Sequence, residues 1–477
     1  ISVANIFAGT SAMVTADAEN SLTIDANLVW SCQTLREISS LVIKGSLTLQ
    51  PGCEVEMTGG DVEGSITVLT GGEFTLLSEL DITVLDKGEP VVGAIVSVDG
   101  ATSQTDNDGK VSTSAIARHV DDSSDTTGGM KTVALQIESF TDMTSWDSST
   151  SLTHTFMAST LPTGVANSWL ILEAQWSPYY LDGDLEVGQF TTLTIHDGVA
   201  IRSTEGSTIT VNGILDAGIA TLSSTGFGAR WGGLVLGDYT SSLIDLSGTH
   251  VVEASSAITV PNLGTVDASS ALFARSSGSD PLIQVSSGSS AAVNIRNSEF
   301  HDGGSGCIFA YPSQSVLTLS GVELDTCNGP GIWARQVDLQ IDGIKLGENI
   351  SSGMELTGVT GSAKDINANS FNGDGNVLWL ESIDGEFSVE GFSATTSGTA
   401  AIAGTTNREI ILSNIEVNGA PAIDFDDTAG IISGLNLTGQ GTGTGLTAHH
   451  GKTSSSLVIE DANIANYAIA IDLHADA

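Results

Sequence analysis

Positive charge is what this chain has least of. Only 15 Lys and Arg stand against 57 Asp and Glu in 477 residues, a formal net charge of -42. A surface of that sign repels a phosphate backbone and an anionic membrane face, so nucleic acid is excluded as a partner. No apolar run reaches membrane-spanning length, so no direct membrane span is expected. No signal-peptide pattern opens the chain, which starts at Ile1 and reads as a mature or excised segment. Cysteines number four and never stand as CxxC, which argues against a thiolate zinc site and leaves no metal assigned. Aromatic residues are only 5% of the chain, so any cluster of them is conspicuous.

What is present points to β structure. The 55 glycines, with abundant Ser and Thr, punctuate short apolar runs. An acidic surface suits a salt-rich or cell-exterior setting; it implies no cofactor beyond loosely held divalent cations such as calcium. The cysteines fall in two local pairs, Cys32 with Cys53 and Cys307 with Cys327. They read as disulfides of an oxidising compartment, with reduced core thiols as the alternative. Two sequons, at Asn349 and Asn436, permit glycosylation.

An internal repeat is the main signal. Aligning "GGLVLG", "SAITVP", "PLIQVS", "GCIFAY", "PGIWAR", "SGMELT", "GNVLWL", "TAAIAG", "PAIDFD", "TGLTAH" and "YAIAID" puts apolar residues at Leu234, Ile258, Ile283, Ile308, Ile332, Met354, Val377, Ala400, Ile423, Leu446 and Ile469. The steps are about 23 residues, and a second apolar residue follows two positions later each time. Side chains two apart share a strand face, so each unit is one short strand with a buried side. Between these strands lies a second template, as in "VNIRNSEF" from Val293 and "LTLSGVEL" from Leu317. Its turn position holds Asn297, Gly321, Gly343, Gly391, Asn414 and Asp461, types that tolerate a left-handed backbone at a sharp corner. Three short strands per rung describe a parallel β-helix, an all-β fold.

The alternation of "IRNSEF" and "GCIFAY" units resembles the right-handed parallel β-helix of the pectate-lyase-like superfamily and its surface-protein relatives, over roughly residues 165–477. An earlier copy, "SLTLQPGCEVEM" at 46–57, lines up with "TLTIHDGVAIRS" at 192–203. Residues 1–78 are therefore expected to hold N-terminal strands and first coils, and 162–477 the main β-helix. Between them, 79–161 changes to hairpin chemistry, with Gly-Glu-Pro, Asp-Gly and Asn-Asp-Gly turns between alternating strands. It resembles the carboxypeptidase-regulatory-like, transthyretin-like β-sandwich through Gly88 to Val96 and Thr105 to Gly109. In that family such modules are structural or interaction units, which implies no active site. The "DNDGK" loop at 106–110 mimics a calcium loop but lacks the Glu needed at position 12, and a hairpin turn explains it better.

Function has to sit on residues that point outward, and neighbouring rungs stack about 4.8 Å apart. In this alignment one outward row runs Phe309, Trp333, Glu355, Leu378, Ala401, Asp424, Thr447 and Ala470. The next runs Tyr311, Arg335, Thr357, Leu380, Ala403, Asp426, His449 and Asp472. Phe309, Tyr311, Trp333 and Arg335 form a patch that a loop or the inserted domain would cover, or that would serve a partner or a sugar ring. Asp424, Asp426, His449 and Asp472 form an acidic ladder, read first as solvated surface and second as a metal or catalytic cluster.

Polygalacturonase-like β-helix hydrolases are similar in placing an Asp pair one rung before a His, the carboxylates acting as acid and base. This chain departs from them at Gly404 and Thr405, where the family has a further Asp, and at Ala448-His449-His450-Gly451, where it has Gly-His-Gly. Lyase chemistry needs a base over a calcium-binding Asp cluster, and neither Arg335 nor Lys345 has one on adjacent outward positions.

These readings favour a non-enzymatic extracellular structural or adhesive protein, a rigid acidic rod in a surface layer, filament or adhesin. Its partners would be copies of itself or neighbouring surface proteins. The alternative is a polysaccharide-active β-helix enzyme, hydrolase or lyase, or a glycan-binding protein. The last rung, "YAIAIDLHADA", carries no polar cap, so the rod's end is expected to meet a neighbouring copy or a further domain.

Overall fold

The computed structural model describes the chain except residues 1–6, 9–13, 17–21, 26, 33–35, 40, 138–139, 227, 277, 384–385, 397–398, 451–455 and 476–477. It divides into two compact units, Ile1–Ala158 and Ser159–Ala477.

The second unit is an all-β parallel solenoid of about 23 residues per turn. Among the described residues its strands form one 20-stranded and one 14-stranded sheet, each strand hydrogen-bonded to its counterpart a rung away. Apolar side chains alternate inward: Leu234, Ile258, Ile283, Ile308 and Ile332 are 0% exposed and stack in one column. Each buried side chain of this kind contributes about 2 kcal/mol of transfer free energy. The same column continuing through many rungs is what holds the coil.

Corners are set by residues that accept a left-handed backbone. Asn297, Gly321, Gly343, Gly391, Asn414 and Asp461 all have φ between +48° and +78°. Asp365 at +51° and Gly434 at +62° complete an eight-rung ladder of such residues. The ladder bends each strand without breaking its pairing: Val316–Leu324 pairs with Asp338–Leu346 on both sides of the Gly321 and Gly343 step.

The 14-stranded sheet corrects the sequence register on three rungs. Met354 pairs with Leu378, Leu378 with Ile402, and Leu446 with Ile471, in place of Val377, Ala400 and Ile469. In "VLWL" either Val-x-Trp or Leu-x-Leu satisfies the alternation, so pattern alone cannot choose. The folded chain puts Leu378 and Leu380 inside at 0% exposure and turns the larger Trp379 outward. Ile402 and Ile471 replace their predicted neighbours because corner lengths vary, the steps into and out of Ile402 being 24 and 21 residues.

Both cysteine pairs are disulfides, with Cα atoms 4.8 Å apart for Cys32–Cys53 and 5.6 Å for Cys307–Cys327. The thiol alternative is set aside. Cys307–Cys327 is fully buried and ties the Ile308 rung to the corner leading into the next.

On the outer face of the larger sheet, Asp216, Asp245 and Asp267 lie on consecutive rungs. Burial, then the charges of Asp216 and Asp267, push the Asp245 carboxyl above the usual carboxylate range, and Arg296 partly offsets this. The folded chain therefore holds that proton to higher pH than the unfolded chain does. The resulting stabilisation is present below the ordinary carboxylate range and is lost as pH rises through the folded value. Asp245→Asn is accordingly expected to raise stability at neutral pH by on the order of 0.5 kcal/mol, the scale of one cross-strand like-charge contact. Thermal melts at pH 7 and pH 3 check this, and the gain should shrink at the lower pH.

The first unit contains short parallel strands and an antiparallel region. Leu28–Trp30, Leu47–Leu49 and Ile66–Val68 stack in parallel as coil strands do. The long strand Glu73–Asp86 pairs in parallel with Glu54–Thr58 over its first part and antiparallel with Lys110–Asp121 along nearly its whole length. Ile95–Val98, Ala101–Gln104, Met130–Ile137 and Phe140–Asp147 form an antiparallel sheet. Leu80, Ile82, Val84, Val96, Val133, Leu135, Trp146 and Phe156 are buried in one cluster. In the "DNDGK" loop, the Asp106 carboxylate accepts hydrogen bonds from the backbone N–H of Asp108 and Lys110 at 2.9 Å, as a turn-closing side chain does.

Candidate functional site

The corrected register redraws the outward face of the 14-stranded sheet. One row now runs Phe309, Trp333, Glu355, Trp379, Ala403, Asp424, Thr447 and Asp472. The row beside it runs Arg335, Thr357, Glu381, Thr405, Asp426, His449 and His474, with Tyr311 next to Arg335 on the preceding rung. Trp379, Glu381 and His474 are residues that the sequence alignment left out.

The aromatic patch is assembled as its residue spacing predicts. The rings of Phe309 and Trp333 stand 5.6 Å apart, and Tyr311 meets Trp333 edge-on at 5.1 Å. The Arg335 guanidinium lies 5.5 Å from the centre of the Trp333 ring. Gly306 makes room for this arrangement, since a Cβ there would collide with the Phe309 ring. All three rings are half-buried, so their faces remain partly accessible.

Glu355 sits between Trp333 and Trp379 in its row. The Ser352 hydroxyl donates to its Oε1 at 2.5 Å, and the Thr357 hydroxyl donates to Glu381 Oε2 at 3.2 Å. Each carboxylate is thereby oriented by a neighbour on its own or the preceding rung. Ser352, Glu355, Gly375, Asn376 and Trp379 line a concavity of about 250 Å³. Gly375 keeps it open, because a Cβ there would stand 2.7 Å from that of Ser352.

The acidic ladder is altered. Asp426 pairs with His449 as expected, but Asp472 stacks on Thr447 and not on His449. The reason is the two-residue slip in "AIAIDLHA", where alternate apolar residues fit either register. His474 takes the expected place of Asp472: its ring stacks on that of His449 at 4.7 Å and 9°, and its Nε2 lies 2.9 Å from Asp472 Oδ1. Asp424 and Asp426 are exposed. Among the described residues no group of His, Cys, Asp and Glu is placed to hold a metal ion. Gly451, part of the Ala-His-His-Gly departure, lies outside the described residues.

Lys345 lies on the other sheet, 2.6 Å from Glu323. The hydrogen bond to Glu323 raises its pKa, the wrong direction for a base. Asn349 is exposed at a corner, and exposed Asn436 accepts a hydrogen bond from the Asn463 amide.

The sequence matches no protein-family profile and no curated protein. Two solved structures are similar. The catalytic unit of thermostable GH87 alpha-1,3-glucanase from Streptomyces thermodiastaticus strain HF3-3 is 12% identical, with 83% of this chain and 88% of that one covered and a TM-score of 0.30. The Agl-KA catalytic domain is 10% identical, with 85% and 89% covered and a TM-score of 0.17. The expectation of a non-enzymatic structural or adhesive rod is corrected on the outward face itself, where Trp379 and Glu381 stand in the places that the sequence alignment gave to Leu378 and Leu380. That expectation rested on the uncapped last rung and on an acidic ladder read as solvated surface, in an alignment that placed Leu378, Leu380 and Ala401 where Trp379, Glu381 and Ala403 stand. No helix of the described residues is long and apolar enough to cross a membrane.

Proposed function

We propose that this chain acts on a polysaccharide, hydrolysing it on the outward face of the 14-stranded sheet. One observation carries the reading: the row Phe309, Trp333, Glu355, Trp379 lies beside the row Tyr311, Arg335, Thr357, Glu381. Flat indole faces take the apolar faces of sugar rings, and such contacts survive in water because they desolvate little polar surface. Two oriented carboxylates supply the rest. Glu355 and Glu381 lie one rung and two residues apart, a diagonal of roughly 7–8 Å between backbones. A glycosidase needs two such groups, one protonating the leaving oxygen and the other activating water or attacking the anomeric carbon itself.

Asp424, Asp426, His449 and Asp472 are proposed as surface beyond the reacting centre, since among the described residues no side-chain hydrogen bond orients either Asp424 or Asp426 toward a shared point. Incubating the chain with a panel of polysaccharides and assaying new reducing ends tests the reading. Cleavage should survive Asp426→Asn; cleavage abolished by that change would move the centre to the acidic ladder, and no cleavage of any chain would leave binding alone.

The segment 79–161 is proposed to be an inserted carboxypeptidase-regulatory-like sandwich, and the solenoid a pectate-lyase-like β-helix. The antiparallel sheet and its Trp146 cluster support this. Two disulfides support an extracellular setting.

A further inference from the structure

We infer that the face takes an uncharged, extended glycan lying along the solenoid axis, and turns away uronate-bearing and sulfated chains. The inference rests on the glycan reading above and adds the substrate's charge and direction.

Direction follows from the placing of the rings. Phe309, Trp333 and Trp379 occupy one row that crosses strands, so the platforms succeed one another along the axis and not along a strand. Trp333 and Trp379 are two rungs apart, about 10 Å, with Glu355 on the rung between them. That separation is close to the length of a disaccharide unit in an extended chain. A sugar on each indole would therefore bring the one sugar between them, with its two linkages, over Glu355 and the Ser352–Asn376 concavity.

Charge follows from the same rows. From the Ile308 rung to the Ile423 rung they carry Glu355, Glu381, Asp424 and Asp426 against Arg335 alone, in a chain of net charge -42. Arg335 lies against the Trp333 ring, where its guanidinium widens an aromatic platform. Glu355 and Glu381 stand on adjoining rungs, and Asp424 and Asp426 two rungs further on, so neighbouring carboxylates lie at about one screening length, roughly 8 Å at physiological salt. A polyuronate carries a charge on every sugar and would meet like charge at Glu355, at Glu381 and at the Asp424–Asp426 pair. An uncharged chain meets only hydrogen-bond acceptors and rings.

Affinity electrophoresis of the full chain through gels containing either neutral glucans and mannans or polygalacturonate, alginate and a sulfated galactan tests this, at low and high salt. Retardation is expected in at least one neutral gel, insensitive to salt and weakened about tenfold by Trp379→Ala, with none in the polyanion gels. Neutralising the outer ladder with the double change Asp424→Asn and Asp426→Asn should leave neutral retardation unchanged. Retardation by a polyanion, lost in Arg335→Ala, would overturn the inference while leaving the glycan reading intact. No retardation in any gel would overturn both.

Discussion

Glu355→Gln lowers turnover on a cleaved polysaccharide by on the order of 10²- to 10⁴-fold while leaving binding within a few-fold of the unaltered chain. The substitution keeps the shape of the side chain and removes its ability to carry a proton. The Ser352 hydroxyl can still donate to the amide oxygen, so the loop geometry should persist. Initial rates on the best polysaccharide, with an electrophoretic affinity measured in parallel, separate the two effects. A loss of binding equal to the loss of rate would make Glu355 a platform residue and not a proton carrier.

Phe425→Ala costs about 4 kcal/mol, the middle of the range for a buried aromatic. Phe425 is 1% exposed, and its inward neighbours on the adjoining rungs are Gly404 and Ala448. The ring fills space that two small side chains leave, and backbone ladders on both sides prevent collapse into the void. Gly404 cannot grow to compensate, because its own Cβ would stand 2.8 Å from the Leu380 carbonyl oxygen. In a solenoid each rung is stabilised chiefly by its neighbours, so the loss should appear as early melting of the nearby rungs ahead of the rest. Hydrogen exchange resolved by segment checks this: protection should fall first in Ile402–Thr405, Ile423–Asp426 and Thr444–His450. Uniform loss across the unit would contradict nearest-neighbour stability.

The fold was legible because two independent constraints repeat. Ile258, Ile283, Ile308 and Ile332 mark the inside of successive strands, and Asn297, Gly321 and Gly343 mark a corner that only left-handed residues turn comfortably. The local cysteine pairs fitted the same period. The site was only half legible. Phe309, Tyr311, Trp333 and Arg335 fell into place because their rungs keep a step of 24 or 25 residues. Beyond Met354 the corners change length, and a one-residue error exchanges inside for outside. That error hid Trp379 and Glu381 behind two leucines and made the face look passive. The slip at Ile471 likewise put Asp472 where His474 stands. Choosing between two apolar alternations requires knowing how much volume a rung can hold, and a linear pattern does not carry that.

The placement of the glycan on Trp333 and Trp379 is tested most directly by following the indole N–H signals of the chain during titration with a neutral oligosaccharide drawn from the polysaccharide it retains. The account predicts that the Trp333 and Trp379 signals shift together and saturate at one affinity, while those of the buried Trp146 and Trp231 stay fixed. Shifts confined to the exposed Trp169, or saturation that leaves Trp333 and Trp379 unmoved, would contradict it.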